Sequence, residues 1–188
     1  MELAFILAIL LLISFSILGF FDGVYLHLYK YKLHVHSESR FEHYTHTLRS
    51  VFFIGILYFL YLGIENNMFF YIGLAFVLLD LVVLFIDAYV EKDSRKFMGG
   101  LPRWEYIIHL FVNGFHFAGI AVLLILKIDI DQNGISLNTG LSRAINFNSF
   151  KLTALNILPG AILVSILHVV LLFPKPALFF NKIKFSCC

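Results

Sequence analysis

The chain carries little charge for its length. Of its 188 residues only 14% are charged, whereas 60% are hydrophobic, and the mean hydropathy is +0.88. Soluble domains carry about 25% charged residues, so the composition excludes an ordinary soluble protein. The formal net charge of +2 is too small for a nucleic-acid-binding protein, which presents a strongly basic surface. We therefore expect a membrane protein whose partners are lipids and not nucleic acids.

Cysteine is also scarce. The two cysteines, Cys187 and Cys188, are adjacent near the end of the chain. Adjacent cysteines do not form an ordinary structural disulfide, so no disulfide scaffold is expected. A free, reduced pair is the simplest interpretation, and lipid modification is the alternative. The N-terminus lacks the basic segment and the small-residue cleavage site of a signal peptide, so we expect the first apolar stretch to be a retained span.

Five stretches are long and apolar enough to cross a bilayer, which requires about 20 mostly apolar residues. They cover residues 3–28, 44–63, 68–90, 104–126 and 152–173. The sequence therefore predicts an all-α integral membrane bundle, a single multi-pass transmembrane domain in the cell membrane. Because the number of spans is odd, the two termini are expected on opposite sides of the membrane.

Lysine and arginine are unequally distributed between the two sides. Eleven of the 14 basic residues lie in segments 30–49, 91–103 and 174–188, which share one side of the predicted bundle. We call this side the basic end, and the side that holds residues 1, 63–67 and 127–151 the N-terminal end. Cytoplasmic loops carry the excess of lysine and arginine. We therefore expect the N-terminus outside and the C-terminus in the cytoplasm.

Histidines and membrane-embedded acids concentrate near the basic end. All eight histidines lie there or in the half of the membrane next to it. An acid at the centre of a span costs about 2.5–3.5 kcal/mol on insertion scales, so it needs a partner that compensates this cost. The candidate ligands in this region are Asp22, His27, Glu42, His46, Asp80, Asp87, Glu91, Glu105, His109, His116 and His168.

Helical spacing places several of these residues on shared faces. Two spans carry their polar residues at i, i+7 and i+11, which share one face of an α-helix: Asp80, Asp87 and Glu91 on span three, and Glu105, His109 and His116 on span four. Residues seven apart differ by about 10 Å along the helix. We therefore expect Asp80 and His116 to meet in a deeper layer than the others, which should lie within direct or metal-bridged contact.

Mixed imidazole and carboxylate ligands suit zinc, iron or manganese. Helix bundles build dimetal sites from inward-facing residues, with glutamate and histidine three apart. Here the spacing is four, as in Glu42 and His46, which keeps the two residues on one face without reproducing that motif. The paired-histidine boxes of membrane desaturases are absent; the segment from His43 to His46 is the nearest approach. The sequence predicts a transition-metal site and assigns no family.

The leading hypothesis is a metal-dependent membrane enzyme that acts on a lipid or apolar substrate from the cytoplasmic side. Oxidative dimetal chemistry is favoured slightly over hydrolysis, because carboxylates are abundant and Ser165 is the one candidate nucleophile nearby. The alternative is a proton or metal-ion transporter, which would need polar residues in the opposite half and a homo-oligomer to form a pore. A b-type haem protein is the second alternative, although haem pockets contain few acids.

Overall fold

The computed structural model describes residues 1–132 and 134–182, so Cys187 and Cys188 lie outside the described residues. In this part of the chain the helices are α1 Glu2–Phe20, α2 Arg40–Gly55, α3 Asn67–Ser94, α4 Arg103–Lys127, α5 Phe147–Leu171 and α6 Pro174–Lys182. π-Helical segments continue α1 over Phe21–Lys30 and α2 over Ile56–Leu62. Strands β1 Ile128–Asp131 and β2 Gly134–Leu137 form an antiparallel hairpin, which is an addition to the predicted fold.

Five helices are long and apolar enough to cross a membrane, which confirms the predicted all-α character with five candidate spans. They cover Glu2–Lys30, Arg40–Leu62, Asn67–Ser94, Arg103–Lys127 and Phe147–Leu171. Each begins before the predicted apolar stretch, because polar flanking residues join the first turn. At α3, for example, the Asn66 side chain accepts hydrogen bonds from the N–H groups of Met68 and Phe69, as helix-capping residues do.

Hydrogen bonds between the helix ends establish the alternating directions of the spans. At the N-terminal end, the Glu2 carboxylate at the start of α1 accepts the N–H of Asn146, at the start of α5, at 3.0 Å. At the basic end, the hydroxyl of Ser39, just before α2, donates to the carbonyl of Ser94, at the end of α3, at 2.8 Å. Helices α1, α3 and α5 therefore end at the basic end, where α2 and α4 begin.

The five long helices form an arc and not a closed ring. Helix α1 packs against α4 and α5, and α2 packs against α5 and α3, so the order across the bundle is α4, α1, α5, α2, α3. Within the described residues, the backbones of α3 and α4 approach each other at few points, although the two helices are consecutive in the sequence, and only long polar side chains such as Glu91 and His109 bridge them. Their short connection led us to expect neighbouring helices. The arc instead leaves a space between them, and the other three helices form the wall behind this space.

Aromatic and aliphatic side chains fill the N-terminal half of the bundle. The ring of Phe150 lies 5.3 Å from that of Phe5 and stacks on Tyr61 at 5.6 Å, and all three residues are buried. Gly73 of α3 lies so close to the π-helical end of α2 that a Cβ there would be 2.8 Å from Leu60 Cβ. Small residues permit such close approach between helices in membranes. This half therefore serves as the packed core.

Candidate functional site

The first site residues lie on the π-helical segment that continues α1. An α-helix has 3.6 residues per turn, so residues five apart point about 140° away from each other. In a π-helix the hydrogen bonds connect residues five apart, which brings Asp22 and His27 to one face. His27 Nε2 lies 3.5 Å from Asp22 Oδ1, and both side chains are buried. Sequence reasoning at α-helical periodicity could not pair these two residues.

Two overlapping groups of side chains have the composition of a metal site. Asp22, His27 and His109 form the first group, and His27, Glu42 and His46 form the second. Within each group the potential ligand atoms lie within 4.8 Å of one another. Each group contains two imidazoles and one carboxylate, and His27 belongs to both. Buried histidine and carboxylate clusters able to hold a metal ion were predicted for this end of the bundle, and the structure contains them.

The distances inside these groups fit a tetrahedral ion. Ligand atoms bonded at about 2.1 Å to a tetrahedral zinc lie about 3.4 Å apart. The observed separations are 3.5 Å from His27 Nε2 to Asp22 Oδ1 and 3.6 Å from His46 Nε2 to Glu42 Oε1. The Nε2 atoms of both histidines are buried without a hydrogen-bond partner among the described residues. Because an unsatisfied buried nitrogen is costly, these atoms favour coordination.

Two further acids contact the imidazoles from α3. Glu91 Oε1 lies 2.7 Å from His109 Nδ1, so the carboxylate accepts the Nδ1–H and leaves Nε2 of the same ring toward Asp22. Asp87 Oδ2 lies 3.4 Å from His46 Nε2, and its other oxygen accepts the hydroxyl of Thr45. A carboxylate that accepts from the nitrogen away from the ligand group, as Glu91 does, fixes the tautomer and the ring orientation, whereas Asp87 contacts the same Nε2 of His46 that faces Glu42. Of the contacts predicted among Asp87, Glu91, Glu105 and His109, the structure contains Glu91–His109, whereas Asp87 meets His46 and Glu105 meets His27.

A fully buried arginine closes the basic end of the site. The Arg95 guanidinium lies 2.7 Å from Glu105 Oε1 and 2.8 Å from Glu42 Oε1, and none of the three side chains is exposed. The Ser94 hydroxyl donates to the other oxygen of Glu42. Buried charges are tolerated when they are paired, and Arg95 compensates both carboxylates. Burial and the Glu105 carboxylate raise the pKa of Tyr31, which lies beside this group, to about 12.

A second polar layer lies deeper in the bundle. Asp80 Oδ2 is 3.3 Å from His116 Nε2, which confirms that these residues meet. Arg49 donates to Asp80 Oδ1 at 3.0 Å and to Asn113 Oδ1 at 2.8 Å. Arg49 was assigned to a connection in the sequence, but the early start of α2 moves it inside the span. This network links α2, α3 and α4 and lies apart from the two ligand groups.

Three more histidines form a separate row. His168 of α5 stacks on His43 at 5.5 Å, and the ring of His43 lies 5.8 Å from His34. All three are buried. Burial, and secondarily the charge of Lys32, lower the pKa of His34 to about 4, so its imidazole is neutral. Neither His34 nor His43 is among the predicted ligands, although His43 lies three residues before His46 on α2 and so shares a face with it.

A cavity of about 900 Å³ connects the two polar layers. All five long helices contribute to its lining. Asp22, His46 and His109 face it near the basic end, and Arg49 faces it at the inner end. Between these layers, apolar residues such as Phe85 form most of the wall. The ligand groups thus border a largely apolar chamber.

The predicted site residues divide into four sets. Asp22, His27, Glu42, His46 and His109 form the ligand groups, whereas Asp87, Glu91 and Glu105 contact them from outside. Asp80 and His116 belong to the deeper network, and His168 to the histidine row. The chain matches no known family model, no curated protein and no solved structure. Function must therefore be argued from the chemistry of the site itself.

Proposed function

We propose that the protein is a membrane-embedded metal-dependent enzyme that acts on a lipid or another apolar substrate. The supporting observation is the pair of overlapping ligand groups, each with two imidazoles and one carboxylate, beside a largely apolar cavity. Two histidines and one carboxylate are the ligands of non-haem iron oxygenases, and also of some zinc hydrolases. We favour iron and oxidative chemistry, because additional carboxylates surround the groups; zinc or manganese is the alternative.

The first ligand group is the better candidate for the primary metal site. In the second group, Glu42 Oε1 lies 2.8 Å from the Arg95 guanidinium, which competes with an ion for the same oxygen. In the first group, Asp22 Oδ1 is 3.0 Å from His109 Nε2 and 3.5 Å from His27 Nε2. A bound metal would supply activation of oxygen or water at this position.

Other residues of the chain support this assignment by controlling protons and charge. Glu91 accepts the Nδ1–H of His109, and in the metal-free chain the Asp22 carboxylate accepts the Nε2–H at 3.0 Å. A metal that replaces this second proton would be held by Nε2 and Asp22, with Glu91 fixing the ring orientation. Arg95 compensates the negative charge of Glu42 and Glu105 on the side away from the cavity. The Phe-rich walls exclude water from the chamber, which strengthens every electrostatic interaction inside it.

We further propose that the basic end faces the cytoplasm. The excess of lysine and arginine at this end supports that orientation. A reporter fused after Cys188 should then be cytoplasmic, and one fused before Met1 should be outside. A C-terminal reporter on the outer side would contradict the orientation and would place the site in the outer leaflet.

A proton or metal-ion transporter fits the structure less well. A path through the membrane would have to cross the N-terminal half, where Phe5, Tyr61 and Phe150 are buried and in ring contact. The buried side chains that fill that half in the described residues are almost all apolar. A haem site is disfavoured because Asp22, Glu91 and their neighbours crowd the histidines with carboxylates.

Oxygen consumption tests the oxidative proposal. Protein purified in lipid nanodiscs is loaded with ferrous iron without oxygen and then exposed to air, while dissolved oxygen and ferric absorption are recorded. Wild type should consume oxygen. The rate for His27→Ala should be lower by about tenfold or more, because the ligand shared by both groups is removed. His36→Ala is the control, because His36 lies outside the groups and stacks on Phe97. Equal rates for wild type and His27→Ala would overturn oxidative chemistry at this site.

A further inference from the structure

The cavity is open to the side, in the gap between α3 and α4. Phe85 of α3 is 69% exposed, and Tyr106 and Leu110 of α4 are 54% and 56% exposed, yet all three line the cavity. The backbones of α3 and α4 approach each other at few points in the described residues, and the two helices are bridged by the pairs Glu91–His109 and Asp80–His116. Away from these two bridges, the exposed side chains border an opening and not a packed wall. In a membrane this opening would face the acyl chains.

The two ends of the cavity are closed to a bulky molecule. At the basic end, Glu42, Arg95 and Glu105 form a buried ionic layer with no exposed side chain. At the other end, the aromatic core around Phe5 and Phe150 is close-packed. A molecule that enters through either end would have to break these contacts. In the gap between α3 and α4, exposed apolar side chains such as Phe85 and Leu110 lie beside the bridging pairs Glu91–His109 and Asp80–His116 and can move aside.

The charges of the lining restrict what the cavity can accept. Four carboxylates line it, from Asp22, Asp80, Asp87 and Glu91, against one guanidinium, Arg49, which is already paired with Asp80. This excess of negative charge disfavours an anionic ligand, because like charges repel strongly at low dielectric. The volume of about 900 Å³ is within the range of pockets that enclose one drug-sized ligand. One chain fits that description better than a two-chain phospholipid.

We propose that the cavity takes an uncharged, single-chain amphiphile from the bilayer through the gap between α3 and α4. Its chain lies along the aromatic wall that includes Phe15 and Phe53, and its polar group lies near Asp22 and His109. If the protein is the proposed enzyme, this amphiphile is its substrate, and that part of the inference rests on the proposed function. The route and the charge preference, however, follow from the cavity alone and can be tested without metal.

Photolabelling tests the route. Purified protein in nanodiscs is irradiated with a diazirine-bearing hexadecanol, and the labelled residues are mapped by mass spectrometry. Two exposed alanines of α3 provide matched variants, because Ala88 lines the cavity and Ala75 does not. Ala88→Phe should reduce labelling of the cavity residues about tenfold, because the ring occupies the space of the chain. Ala75→Phe should leave labelling unchanged.

Two further measurements use only wild-type protein, so they do not depend on how well the variants fold. They are the positions of the labelled residues and a comparison of the alcohol with the corresponding acid. In wild type, labels should concentrate on cavity residues such as Leu84 and Leu110, and the diazirine-bearing hexadecanoic acid should label them less than the alcohol. Labelling spread evenly over the lipid-facing surface, or stronger labelling by the acid, would overturn the inference. Equal labelling of folded Ala88→Phe and Ala75→Phe would overturn it too. Cavity labelling of a protein that takes up no transition metal even from metal-replete medium would support this inference while contradicting the metal-dependent function.

Discussion

The two halves of the bundle are built from the same five helices but held together by different interactions. In the N-terminal half, side chains such as Phe5 and Phe150 pack ring against ring. In the half next to the basic end, imidazoles, carboxylates and two arginines pair with one another. Moving an apolar side chain from lipid into a protein interior releases little free energy. The helices of the N-terminal half are therefore held together by close packing. Burial of the polar half in a membrane is energetically expensive, and the proposed function is assigned to this half.

The largest effect is expected from removing the arginine that compensates two buried acids. Arg95→Met leaves Glu42 and Glu105 buried without their partner, which costs about 3–5 kcal/mol. We expect poor accumulation of the variant or a large fall in its apparent unfolding temperature, measured in detergent. Arg103→Met is the control, because Arg103 is exposed at the same end. Adding Glu105→Gln to Arg95→Met should restore part of the loss; equal stability of the two single variants would contradict the account.

A smaller effect is expected from disturbing the packed half. In Gly73→Ala the new methyl group would lie 2.8 Å from Leu60 Cβ and 2.9 Å from the Leu60 nitrogen, and such overpacking costs about 1–3 kcal/mol. Gly114→Ala is the matched control, since no atom lies within 4 Å of its Cβ position. The apparent unfolding temperature should fall for Gly73→Ala only. Both variants should keep their metal content, and loss of metal in Gly73→Ala would mean that the two halves are not separable.

The smallest effect concerns the pH dependence of stability. The pKa of His34 is about 4 in the folded chain against 6.5 in the unfolded chain. Between these values the unfolded state binds more protons, so stability falls as the pH drops through this window. We expect His34→Gln to flatten the dependence of the apparent unfolding temperature between about pH 7 and pH 5. If the apparent unfolding temperature of the variant changes with pH as steeply as that of wild type, groups other than His34 cause the pH dependence.

More of the fold than of the candidate site could be predicted from the sequence. Hydropathy alone locates the five spans and the end at which the polar residues gather, because each span must be apolar over about 20 residues. The partners of individual residues depend on features that hydropathy does not contain. The π-helical segment aligns Asp22 with His27, and the early start of α2 brings Arg49 inside the bundle. The arc order of the helices, which separates α3 from α4, also leaves no trace in the spacing of residues.

The metal content of purified protein tests the central claim most directly. Protein is produced in metal-replete medium, purified in detergent without chelators, and analysed for iron, zinc and manganese per chain. The account predicts at least one ion per chain in wild type and in His36→Ala, and a loss of that ion in His27→Ala, because His27 belongs to both ligand groups. Wild-type protein without a stoichiometric transition metal, or His27→Ala with an unchanged content, would contradict the account.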